Sequence, residues 1–184
     1  IVGAAGVSAA YRSIEEKTLM AAIEDGTAQT PSGETPKTDI PPGSLAYDKI
    51  GNVTISRLLL GENLIGGWLH SRDLMYVSIL ARSYNTEAKV FETLDLARAC
   101  GVNTIQIDPA CWSVVSKYNK ARSTPIQTMV CVRLCEDKTE MSDNIKHQVD
   151  LGATLLYSHG GMTDSFMMNG GKIEVIGQML DLIK

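Results

Sequence analysis

The sequence predicts a mixed α/β protein on a parallel sheet: the front, N-terminal half of an eightfold βα barrel (a TIM-type barrel), with about four βα units behind a β-hairpin. Three observations predict it. Short apolar runs, "NTIQI", "IQTMVCV" and "TLLYS", alternate with stretches of helical period, the pattern of βαβ units. The runs "TMVCV" and "TLLY" lack polar alternation, as strands covered on both faces should. A whole barrel takes ~250 residues, whereas Leu45 to Lys184 spans about 140. A compact open sheet of four or five strands is the rival architecture.

The elements follow in order. Residues 1–10, "IVGAAGVSAA", are apolar and end in small residues, as the region before a signal-peptide cleavage site does. They are expected to be the remnant of an export signal, with a positively charged stretch ahead of Ile1, and the protein to be periplasmic or extracellular. Residues 11–44 divide into a short helix, about Ile14 to Asp25, and a linker. Ser13 and Glu16 form a capping box and Gly26 is the stop signal. The linker, "TAQTPSGETPKTDIPPG", is too rich in Thr, Pro, Gly and Ser to build a core.

Residues 45–184 are the barrel part. Gly51-Asn52 suits a tight hairpin turn, with β-branched residues just beyond. Arg57 to Leu60 extends into an apolar strand ending at Gly61. "RDLMYVSILARSY" is a helix. Thr86 caps another, with Val90, Leu94, Ala97 and Cys100 on one face and Gly101 at its end. After "NTIQI" comes a helical stretch from Trp112 to Tyr118. After "IQTMVCV" comes "MSDNIKHQVD", with Met141, Ile145 and Val149 inward. After "TLLYS" comes "GKIEVIGQMLDLIK", with Ile173, Ile176, Leu180 and Ile183 inward.

The formal net charge of −4, spread over both signs, leaves no basic stripe for nucleic acid. No apolar run reaches the ~18–20 residues of a membrane span. The four cysteines, at 100, 111, 131 and 135, contain no C-x-x-C pair, which weakens zinc-knuckle and thioredoxin readings. Cys131 and Cys135 have bridging spacing in an oxidising compartment; otherwise the cysteines are small buried hydrophobes. "GENLIGG" and "HGG" match neither the dinucleotide fingerprint nor the P-loop.

Barrel enzymes place their chemistry at the C-terminal ends of the strands. Asp108 stands there after "NTIQI", although an aspartate before Pro109 also suits an N-cap. His159 follows "TLLYS" and precedes Gly160-Gly161, which permits close backbone approach to a ligand. Its plainer reading is a loop histidine bonded to backbone. Glu62 and Asn63 follow the first strand as substrate-binding candidates. His70, near Asp73, is another. Trp112 is either an apolar wall for a sugar ring or a packing residue. His70, Asp108 and His159 together have the composition of a divalent-metal site. His147 lies on a solvated helix face and carries no function. Met162, Met167 and Met168 form either a loop over the site or plain packing.

From Leu45 to Lys184 the chain resembles the aldo-keto reductase family, as a secreted relative. "YDKIGNVTISRLLLGENLIGG" resembles its opening hairpin and first strand, "LARACGVNTIQIDPA" its second strand, and "LGATLLYSHGG" its fourth. The resemblance implies an aspartate, a tyrosine, a lysine and a histidine at the strand mouths, with the tyrosine as proton donor and NADPH as hydride source. Asp108 matches the aspartate and His159 the histidine. Arg133 stands where the lysine is expected, and Ser113 where the tyrosine is; Tyr118, five residues on, substitutes only if the loop differs. Arginine binds carboxylates but is not a tunable lysine. The nucleotide contacts implied lie mostly in a second barrel half.

Three functions follow. One is NADPH-dependent reduction of a carbonyl or sugar by Asp108, His159, Arg133 and Tyr118. Another is a metal- or base-dependent sugar lyase, epimerase or isomerase using His70, Asp108 and His159. The third is a non-catalytic glycan-binding module. A half barrel standing alone exposes a sheet edge and should form a homo-oligomer or aggregate.

Overall fold

The computed structural model describes residues 45–69, 74–170 and 172–184. The expected export remnant, the helix at 14–25 and the linker lie outside them, as do His70 and Asp73.

Strands β1 (Tyr47–Ile50) and β2 (Val53–Ser56) pair antiparallel, Tyr47 opposite Ser56 and Ile50 opposite Val53. Gly51 turns the hairpin with φ +57°, a conformation open to glycine. Two short helices follow, α1 (Asn63–Gly66) and α2 (Met75–Tyr84), and then α3 (Glu87–Ala99). The Thr86 side chain accepts from the Lys89 N–H at 3.4 Å, and Gly101 leaves α3 with φ +90°. Next come β3 (Thr104–Ile107), a single 3₁₀ turn (Pro109–Cys111) and α4 (Trp112–Lys120). The chain ends with β4 (Gln127–Val132), α5 (Lys138–Asp150), β5 (Leu155–Ser158), α6 (Gly160–Met168) and α7 (Ile173–Ile183).

The fold is mixed α/β around a parallel sheet in the order β3-β4-β5. Ile107 pairs with Val130 and Val130 with Leu156. The expected strand at 57–60 is reduced to one parallel bridge, Leu60 with Ile105, made by Leu60 N–H to Thr104 O (3.1 Å) and Gln106 N–H to Leu60 O (2.8 Å). Residues 58 and 59 stay exposed. With Leu60 counted, four parallel segments lie side by side in chain order. Among the described residues the sheet does not close, and the outer edge of β5 is unpaired.

Alternation along the strands sorts their side chains. Ile105, Ile107 and Val130 pack with Val90 and Leu94 of α3 and with Val115 and Tyr118 of α4. Val132 packs with Met141 and Ile145 of α5 and Val175 and Met179 of α7. Each such buried side chain contributes about 1.5–3 kcal/mol of transfer free energy. The opposite face carries Gln106, Met129, Cys131 and Tyr157, displaced by one position from the core set.

The hairpin is fastened to the N-terminal ends of these strands by Asn103. Its Oδ1 accepts the Ser56 N–H (2.8 Å) and its Nδ2 donates to Thr54 O (3.0 Å). The Tyr47 hydroxyl donates to Gly101 O at 2.6 Å.

Three helix faces differ from expectation. On α5, Met141 and Ile145 are buried, but Val149 is 53 % exposed and Gln148 takes the inward place at 2 %. Gln148 is needed there because its Oε1 accepts the Trp112 indole N–H at 2.7 Å. The helix also starts earlier, at Lys138, because the Asp137 carboxylate accepts from the N–H groups of Thr139 and Glu140. On α7, Val175 and Met179 point inward while Ile173 and Leu180 are exposed; Glu174, Gln178 and Asp181 mark the polar side, and the inward face is the middle of the wide apolar stripe opposite them rather than its edge through Ile173 and Leu180. The stretch after His159 forms α6, with Met162 packed and Met167 and Met168 exposed.

Candidate functional site

The C-terminal ends of the Leu60 segment, β3 and β5 bring Glu62, Asp108 and His159 into one electrostatic neighbourhood. Glu62 caps α1 in position and is buried, at 7 % exposure. Its Oε2 accepts the backbone N–H of Asp108, which ties the first segment to the end of β3. Burial raises the Glu62 pKa above the usual carboxylate value. Hydrogen bonds from the Asp108 N–H and the Cys111 thiol oppose that rise, and the nearby Asp108 charge adds to it.

Asp108 is both things the sequence offered. It stands at the strand end, and its Oδ1 caps the 3₁₀ turn by accepting the Ala110 N–H at 2.9 Å. Pro109 follows at the first helical position, where its missing N–H costs nothing. His159 is exposed and caps α6: its Nδ1 accepts the Gly161 N–H at 3.1 Å. That bond puts the proton of a neutral imidazole on Nε2, leaving Nε2–H as a donor.

Two groups missed in the sequence stand on the same sheet face. Cys131 lies level with Tyr157 in the β4–β5 register, so the thiol and the phenol influence each other's ionisation. Burial pushes the Cys131 thiol to about 11 and the Tyr157 phenol to about 12, while the Gln106 side chain bonds the phenol and favours its ionised form. Both residues feel the charge of Glu62. Reading β4 and β5 as covered equally on both faces hid them. Strict alternation counted back from Asp108 and His159 would have found Gln106 and Tyr157.

Other candidates go elsewhere. Tyr118 is fully buried between α3 and α4, on the helix side of the sheet. Its hydroxyl donates to Asp95 Oδ1 at 2.8 Å, its ring meets Phe91 edge-on, and burial pushes its pKa to about 12. It is a core residue, withdrawn from the strand ends. Arg133, directly after β4, is exposed and paired with Glu140 of α5 at 3.1 Å. Its own N–H donates to Asn144 Oδ1 at 2.9 Å. Trp112 packs on the core with its indole N–H engaged by Gln148, so it is the packing residue of the two readings. Asn63 is exposed on α1, and Ser113 is exposed on α4.

Among the described residues no three His, Cys, Asp or Glu side chains gather as a metal site. His70, the third member of the proposed metal set, lies outside them. All four cysteines are free; Cys131 is buried in β4, and Cys135 donates to Asp137 O at 3.3 Å. Among the described residues no helix is long and apolar enough to cross a membrane. Comparison with family models, with curated proteins and with solved structures finds no match.

Proposed function

We propose that this chain is the front half of a βα barrel enzyme that moves protons on a small hydroxylated or carbonyl substrate at the C-terminal ends of its strands. One observation carries the reading. Glu62 is a carboxyl group held almost dry at a strand end, with its proton affinity raised by burial and its geometry fixed by the Asp108 N–H. A carboxylate so tuned removes and returns protons nearer neutrality than an exposed one. His159 supports it as a donor: Nε2–H stabilises negative charge on a substrate oxygen while Glu62 takes a proton from carbon. Asp108, capping the turn, keeps the rim negative and adds to the proton affinity of Glu62, which favours uptake of the proton. This is the chemistry of an epimerase, isomerase or lyase. A metal-dependent form would hold a divalent cation on Asp108 and His159 together with His70, which lies outside the described residues, and the cation would supply stabilisation of the substrate oxygen's charge.

The reductase is the second reading. Asp108 and His159 end the second and fourth parallel segments, as the resemblance to aldo-keto reductases requires. Their neighbours are acceptors, Glu62 among them, and Arg133 is neutralised by Glu140. These residues do not fit the phosphates of NADPH, so no step is assigned to that cofactor.

The test is proton NMR of the full chain in D₂O with a panel of aldoses, ketoses and 2-hydroxy acids, beside a fluorescence titration with NADPH and metal analysis of the same sample. Deuterium entering at the carbon next to the oxygenated centre, and lost in Glu62→Gln with the fold intact, supports proton transfer. Exchange undiminished in Glu62→Gln refutes the assignment. Saturable NADPH binding with no exchange moves the reductase to first place.

A further inference from the structure

A cleft of about 370 Å³ opens where α1, α3 and α4 meet. Cys111, whose thiol bonds Glu62, lines one side. The wall is Trp68, 40 % exposed despite its size, beside Val90 and Val114. The ring is set in place by the glycines before it. A Cβ on Gly66 would fall 2.4 Å from ring carbons Cε3 and Cζ3, so only glycine lets the indole lie against that backbone. Gly67 turns the chain with φ +72°, and a Cβ there would meet the Arg82 side chain at 2.4 Å. The Trp68 N–H donates to Asn63 O at 2.8 Å.

The polar lining consists mainly of acceptors. Both Asn85 Nδ2 hydrogens are used, on Ala81 O (2.9 Å) and Leu64 O (3.2 Å), which leaves the Asn85 carbonyl oxygen as the group it offers. Glu87 binds Lys117 through Oε2 at 2.6 Å and keeps a second oxygen. The Ser113 hydroxyl, exposed at the edge, donates or accepts.

We infer that this cleft binds an uncharged pyranose ring, seated on the Trp68 indole. An aromatic face accommodates the C–H side of a sugar. Acceptors at Asn85 and Glu87 match its hydroxyl donors. Among the described residues no Lys or Arg lines the cleft, and the nearby Lys117 ammonium is already paired with Glu87, so the site offers no free cation to phosphate or carboxylate groups and favours an uncharged sugar over sugar phosphates and nucleotides. The volume falls in the range of ~300–1,000 Å³ of small-ligand sites. The inference replaces Trp112 with Trp68 as the sugar wall, and it stands whether or not Glu62 moves a proton.

The experiment uses the full chain carrying Trp112→Phe, in which Trp68 is the only indole of the two in the sequence. Its emission is titrated with the methyl glycosides of glucose, galactose, mannose, xylose and N-acetylglucosamine, and with the phosphate ester of whichever parent sugar binds best. Calorimetry on the unsubstituted chain repeats the series if Trp112→Phe perturbs folding. At least one neutral glycoside is expected to saturate with a Kd of about 1 mM or tighter. Asn85→Leu should weaken it about tenfold, and the phosphate ester should bind at least about tenfold more weakly. No saturation by any glycoside, tighter binding of the phosphate ester, or an indifferent Asn85→Leu overturns the inference. A methyl glycoside has no free carbonyl for Glu62 to act beside, so its binding is read apart from proton transfer and a failure of one is distinguished from a failure of the other.

Discussion

Tyr118→Phe separates a chemical tyrosine from a structural one. The substitution removes one oxygen and little else. The Phe91 ring contact, with centroids 5.4 Å apart, survives it, and so does the place of Arg122 over the ring at 5.1 Å. What is lost is the donor to Asp95 Oδ1 at 2.8 Å. Asp95 keeps two bonds from Arg122, Nε at 2.9 Å and Nη2 at 2.6 Å, and its side chain is 29 % exposed, so water replaces part of the loss. A hydrogen bond to a charged acceptor contributes about 1.5–3 kcal/mol, and partial solvation brings the expected cost to about 1–2 kcal/mol. For a domain of this size that lowers Tm by about 3–8 °C. Urea unfolding followed by circular dichroism measures it as a shift of midpoint at constant slope. The Arg122 bond is the main reason the Asp95 pKa is lowered, with the Tyr118 bond second to it among the bonds. This network therefore stabilises the fold above the unfolded carboxylate value of about 3.9 and loses its contribution as pH falls through the lower folded value. The gap between wild type and variant should narrow over that acid window. Unchanged stability, or an activity lost without any loss of stability, would refute the structural assignment.

The remaining expectations concern the rim, the thiols and the hairpin. Glu62 binds its proton more tightly folded than unfolded, so its contribution is fullest below about pH 4.3 and falls as pH rises through the folded pKa. Glu62→Gln should therefore gain stability relative to wild type between acid and neutral pH, seen in urea midpoints across that range; a constant difference would sink the claim of a burial-raised carboxyl. Cys111 and Cys131, with thiols pushed to about 12 and about 11 by burial, should resist iodoacetamide in the native protein at neutral pH while the part-exposed Cys100 and Cys135 label first, as peptide mass spectrometry will show. Asn103→Ala should cost about 2–4 kcal/mol by removing bonds to Ser56, Thr54 and Thr104, and amide exchange should quicken in residues 47–56 before it does in β3 and β4. Equal quickening throughout would mean that the hairpin and sheet unfold as one unit.

The sequence by itself determined the order and kind of most elements, because their signals are local. Gly51-Asn52 can only turn, Thr86 can cap the helix after it, Gly101 can leave that helix with positive φ, and apolar runs of four to six residues can only be strands in this company. It also placed Asp108 and His159 at strand ends, since a polar residue closing an apolar run is visible in the chain itself. Tertiary structure alone decided what depends on partners distant in sequence. Tyr118 and Tyr157 are the same residue type with the same claim to proton chemistry; one lies under the helices and the other on the opposite sheet face, a choice made by packing against Asp95 and Phe91 in one case and by strand register in the other. Gln148 displaced Val149 from the inner face of its helix because an indole N–H thirty-six residues away required an acceptor. Glu62 became a buried acid because the Asp108 backbone, forty-six residues on, presents an N–H to it. The helix from Ile173 to Ile183 shows a wide apolar stripe in its sequence, and only contact with Val132, Met141 and Ile145 decided that the middle of the stripe, Val175 and Met179, is buried while its edge, Ile173 and Leu180, stays exposed.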